Sequence, residues 1–237
     1  MITTTVRRRD AGLLTVAALL TVAVVLAAAY FLVPPLLGPD RLDGFPGAFA
    51  AYWSSGSTDF PPGLQHLVDH QSRYHLVRTV IALPLLAVLV ILAVRLRRFR
   101  LLIGAFALAT AVLLIESVQG FVSPFGTLLP NLASGPTKPD PAFLAQVRDQ
   151  LANGPMSPAL HVMLDEYVRW HVAKAVLTAV LAAVLIGLSV AAWRRRRWFS
   201  LVLTAVSALA ALVWVAANVS TVADPDSGFL LLLEGSW

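Results

Sequence analysis

The stretches YHLVR (74–78) and WHVAK (170–174) each set an aromatic ring, an imidazole and, three residues later, a cation at the same offsets. Imidazole exchanges a proton near neutral pH. A cation three residues on shares its helical face and can stabilise negative charge that develops on a bound molecule. His75 and His171 are therefore candidate general bases, and Arg78 and Lys174 candidate partners for the anion formed. This chemistry suits an anionic or enolisable substrate.

The duplication is wider than these ten residues. PPGLQHLVDHQSRYHLVR (61–78) and SPALHVMLDEYVRWHVAK (157–174) run in register, with Asp69 four residues before Arg73 and Asp165 four before Arg169, each an expected intrahelical pair. Upstream, FLVPPLLGP (31–39) and FVSPFGTLLP (121–130) each place Pro three residues after Phe. The expected unit is helix, long outer loop, helix, written twice. Both copies run the same way, giving a parallel repeat whose equivalent side chains can meet at one depth.

The elements that must position these residues are membrane helices. The chain has 237 residues, 58% hydrophobic and only 13% charged, too apolar for a soluble domain of this size. Runs of spanning length at 11–33, 76–94, 101–121, 172–193 and 199–219 predict an all-α bundle of five transmembrane helices, with outer loops at 34–75 and 122–171 and an outer tail at 220–237. Arg7, Arg8 and Arg9, Arg95 to Arg100, and Arg194 to Arg197 hold 11 of the 18 cations and only one acid, Asp10. Cations collect in cytoplasmic loops, so the N-terminus and both short links are expected inside a bacterial-type cytoplasmic (inner) membrane and the C-terminus outside. The basic balance is then topology and implies no nucleic acid. The first apolar run is longer than a signal core and is expected to stay as an anchor. The absence of cysteine excludes disulfides and thiolate chemistry.

Within the outer segments, Pro62 and Pro158 sit where a first-turn proline is favoured, and Ser157 is an expected N-cap. Helices two and four should thus begin two or three turns above the bilayer, with a kink at Pro84 in the former. Residues 141–152 predict an amphipathic helix capped by Asp140, with Phe143, Leu144, Val147 and Leu151 on one face. FLLLL (229–233) is too short to span, and Trp237 suits the interface.

Counting outward from residue 98 along the second and third helices brings Arg78 and Glu116 to similar depth, and predicts an intramembrane pair. The same counting puts Gln119 near His75 and Asn218 near Lys174. Such groups at membrane depth face the bundle interior or water and are functional candidates. The expected pocket gathers two imidazoles, two cations and two amides around one carboxylate, in the outer leaflet. A metal site is the rival chemistry: His66 and His70 are four apart, as are His161 and Asp165, with Glu166 matching His70 in the repeat. No spacing of two histidines and a carboxylate stands out, so no metal is assigned and the cofactor is left unknown. Phosphate-loop, dinucleotide and serine-hydrolase motifs are absent.

RYHLVRTVIALPLLAVLVILAV (73–94), an aromatic-His-x-x-Arg motif opening a helix after an outer loop, resembles the anthrone-oxygenase-like family of small four-helix membrane proteins. The resemblance covers helices one to three. It implies oxygenation of an activated aromatic carbon without an obvious cofactor. The chain departs from that pattern in its fifth helix, its longer outer loops and its second motif copy with Trp170 and Lys174. The expected partners are the lipid bilayer, a lipophilic small molecule and, through the outer loops, a membrane protein for which this chain would be a non-catalytic accessory.

Overall fold

The computed structural model describes residues 2–37, 44–134 and 141–235, and no strand occurs among them. Five helices are long and apolar enough to cross a membrane. They are α1 (Ile2–Leu32), α3 (Pro62–Arg95), α4 (Arg100–Val122), α7 (Pro158–Arg194) and α8 (Trp198–Ala223). The main packing runs in chain order, α1 on α3, α3 on α4, α4 on α7 and α7 on α8, and Tyr30 of α1 also shares a hydroxyl hydrogen bond of 3.1 Å with Ser117 of α4. Their outward faces carry exposed Leu, Val, Ile, Phe and Trp, such as Leu83, Phe106 and Val180. In water those faces would be an aggregation liability; in a bilayer they meet lipid.

At the end with the arginine-rich links, Arg100 donates from Nη2 to Ser200 Oγ at 2.8 Å, joining the starts of α4 and α8. Deeper in the bundle, Ser189 and Thr204 exchange a hydroxyl hydrogen bond of 2.8 Å between α7 and α8. α3 runs unbroken through Pro84.

At the other end the segments expected as loops form a helical cap. It comprises α2 (Phe45–Ser55), α5 (Pro130–Ser134), α6 (Pro141–Asn153) and α9 (Pro225–Glu234), packed around the upper turns of α3 and α7. Its core is the largest in the protein, with Phe45, Tyr52, Leu129, Val147, Met163 and Phe229 at its centre. Spacing explains the two cap helices that replace an expected loop and tail. Phe45, Phe49 and Tyr52 fall on one face of α2, and Phe229, Leu232 and Leu233 on one face of α9. Gly56 and Gly235 close these helices in the left-handed conformation that glycine adopts without strain.

The amphipathic segment forms α6 as expected and buries Phe143 and Val147; Asp140 and Trp237 lie outside the described residues. Ser157 caps α7 by accepting from Leu160 N–H. Tyr52 is fully buried, donates to the Ala159 carbonyl at 3.4 Å, and packs edge-on against Phe60 and Phe125. The Arg148–Glu234 ion pair of 2.6 Å ties α6 to α9.

Candidate functional site

The two motif copies form the first turns of α3 and α7 below the cap, and they build similar side-chain clusters. In each, the imidazole stacks edge-on against the preceding aromatic: His75 on Tyr74 at 5.3 Å and His171 on Trp170 at 4.9 Å between ring centroids. In each, the cation lies over that same aromatic, Arg78 over Tyr74 at 5.3 Å and Lys174 over Trp170 at 5.2 Å. A second ring completes both cages. Tyr30 of α1 lies 4.4 Å from the Arg78 guanidinium carbon, and Trp214 of α8 lies 4.9 Å from Lys174 Nζ. Such contacts hold a cation where water is scarce.

The clusters differ in what surrounds them. His75 lies against Gly120 of α4, where any side chain would strike the ring. Gln119 turns away from His75 and donates from Nε2 to the Trp170 carbonyl at 3.2 Å, binding α4 to α7. His171 Nδ1 is 2.8 Å from Asn218 Oδ1, one turn of α8 beyond Trp214. No contact joins the imidazoles to each other among the described residues; each is held by the helix that follows its own.

The expected Arg78–Glu116 pair is not formed among the described residues. Arg78 turns to α1, with its Nη1 3.5 Å from Tyr74 Oη. Glu116 instead lines a pocket together with Lys174. That pocket, about 180 Å³, lies between α4, α7 and α8. Lys174, Glu116 and Trp214 stand at its end nearer the cap, Leu108, Leu185 and Ser207 at its far end, and its walls are almost wholly apolar. From Lys174 to Leu185 is roughly 16 Å along a helix at 1.5 Å per residue. Four polar atoms near this level are buried with no hydrogen-bond partner: His75 Nδ1, Arg78 Nε, Trp170 Nε1 and His171 Nε2. Native interiors rarely leave such groups unsatisfied, and those they do leave mark water or ligand positions.

The metal candidates do not assemble. No three histidine, aspartate or glutamate side chains come together in a metal-binding group among the described residues. His66, His161 and Asp165 are exposed, and His70 is buried in α3. Glu166 is a structural residue, because its Oε2 accepts from Ser123 Oγ at 2.7 Å and its Oε1 from Arg169 Nη1 at 2.6 Å. Arg169 thus pairs with Glu166 three residues before it and not with Asp165. Arg73 likewise reaches the Asp69 carbonyl, while the Asp69 carboxylate accepts from Gln65.

Tyr30 and Trp214 are absent from the site expected on sequence. Both lie inside apolar runs, and their signal is position: each comes level with a motif cation when the hairpins are folded back. Comparison of the chain with protein-family models, with curated proteins and with solved structures finds no match. The anthrone-oxygenase-like resemblance therefore rests on its quoted residues alone.

Proposed function

We propose that the protein binds a lipophilic small molecule with an anionic or enolisable head in the outer leaflet, its tail in the slot between α4, α7 and α8 and its head at Lys174. The observation that carries this reading is a lysine boxed by two tryptophans and faced by a carboxylate at one end of an apolar slot. Binding sites for small amphiphiles combine these parts: apolar walls for affinity and a few fixed polar groups for orientation. Trp214 is partly exposed towards the lipid side, which supplies a lateral way in.

The reading includes a parallel internal repeat, supported by the matching cages of Arg78 and Lys174, with α8 and α9 as the start of a third copy. It also includes an inner-membrane orientation with the cap outside, supported by the arginine-rich links at the opposite end. Since the chain has no cysteine, single cysteines at Ser57 and Arg98 would report sidedness directly. Labelling of Ser57→Cys from the cytoplasmic side would reverse the orientation.

Native mass spectrometry of protein extracted with its own membrane tests the binding itself. The wild type should carry a lipophile that Lys174→Met loses while keeping the same helix content. An adduct retained unchanged by Lys174→Met, or none on the wild type, would overturn the proposal.

A further inference from the structure

The hydrogen bonds around His171 determine which of its nitrogens carries the proton. Asn218 donates from Nδ2 to the Trp214 carbonyl at 2.8 Å. That carbonyl can only accept, so the amide nitrogen is committed to it and the atom facing the imidazole is Oδ1, 2.8 Å away. An amide oxygen also only accepts, so His171 Nδ1 must be the N–H. In the neutral ring Nε2 is then a bare acceptor, and it is buried without a partner.

This acceptor lies beyond the cap-side end of the slot, outside the residues that line it. His171 and Lys174 share a face of α7, Asn218 and Trp214 a face of α8, and the Trp170 ring touches both His171 and Lys174. The His171–Asn218 rung is therefore one helical turn nearer the cap than the Lys174–Trp214 rung. Lys174 and Glu116 are the charged residues among those lining the pocket, and their charges sum to zero. A permanent anion would add a net negative charge to this balanced pair of residues. One turn nearer the cap than Lys174, His171 Nε2 is without a donor and Trp170 Nε1 without an acceptor, both atoms being buried.

From this we infer that His171 selects the bound head by accepting a hydrogen bond at Nε2, with Asn218 as the residue that fixes this tautomer, and that the head carries a hydroxyl, enol or N–H donor. A hydroxyl answers both unpaired groups, because it donates and accepts; a carboxylate or an ether oxygen only accepts. The inference rests on the amphiphile site proposed above and narrows its ligand from anionic or enolisable to donor-bearing.

The probes are 1-decanol, decyl methyl ether and decanoate, titrated calorimetrically into the full chain in lipid nanodiscs. Decanol should bind roughly 3- to 10-fold more tightly than the ether, the range one neutral hydrogen bond gives, and more tightly than decanoate. The preference should vanish in His171→Phe and shrink in Asn218→Leu. Nitrogen-15 histidine spectra of the wild type, assigned with His171→Gln, should show His171 protonated at Nδ1 and bare at Nε2. Equal binding of alcohol and ether, tighter binding of decanoate, or a proton on Nε2 overturns this inference and leaves the amphiphile site standing. No binding of any of the three probes overturns both.

Discussion

Gly120 of α4 lies directly under the imidazole of His75: a β-carbon there would be 2.5 Å from three atoms of the ring. The contact accounts for a glycine at this position, in the last turn of α4. Gly120→Ala should push α3 and α4 apart locally and destabilise the protein by about 1–3 kcal/mol, the usual cost of overpacking. At Gly104, in the same helix, an added methyl group would meet nothing within 4 Å, so Gly104→Ala should be neutral or gain up to about 1 kcal/mol. Thermal melts in detergent decide it. Equal effects of the two substitutions would remove the His75 contact from the account.

Glu166, not its neighbour Asp165, fastens the turn that follows α4. The Ser123 hydroxyl is fully buried and is shared between the carbonyl and the carboxylate of Glu166. Glu166→Ala leaves the carbonyl contact, removes the carboxylate, and should cost about 1–3 kcal/mol, since hydrogen bonds to charged groups are the stronger ones. Little of that comes from Arg169, which is largely exposed. Asp165→Ala, on the exposed face, should change stability by less than about 0.5 kcal/mol. Chemical denaturation followed by circular dichroism separates the two.

Tyr52 gives the cap an alkaline limit. Burial pushes its phenol up to about 12, against about 10 in an unfolded chain. Between those values the unfolded state releases the proton and the folded state keeps it, so folding binds more protons and stability falls as pH rises. The stabilisation is whole below about pH 10 and is lost as pH passes through about 12. Tyr52→Phe, which gives up one long hydrogen bond to Ala159, should melt at a temperature less dependent on pH over this window than the wild type does. Parallel pH profiles for the two proteins would place the alkaline sensitivity elsewhere.

Depth is legible in the sequence and direction is not. Counting along the hairpins brings Glu116, Gln119 and Asn218 to the level of the two motifs, and all three lie there. A residue count says nothing about which way a side chain leaves its helix. Glu116 therefore lines the slot with Lys174 and does not pair with Arg78, and Gln119 passes by His75 to reach Trp170. The spans are legible because a run of about 20 apolar residues has no other common use. The cap is only half legible. Its α6 announces itself through a strong polar face, whereas α2 and α9 are short, each carries a Pro and a Gly in its first turns, and both become helical by packing within one shared aromatic core. The cages of Arg78 and Lys174 depend on Tyr30 and Trp214, distant in sequence and marked by no local pattern.

Besides the upper turns of α3 and α7, the cap core draws its side chains from three stretches of chain on one side of the bundle: between α1 and α3, between α4 and α7, and after α8. During synthesis Phe45 and Phe49 reach that side first, but Phe229, Leu232 and Leu233, which seal the same core, follow only after every span has crossed. The apolar face of α2 is thus covered in full only once α9 has been made. A chain with a misinserted span would lack one of these segments on that side and leave the core open.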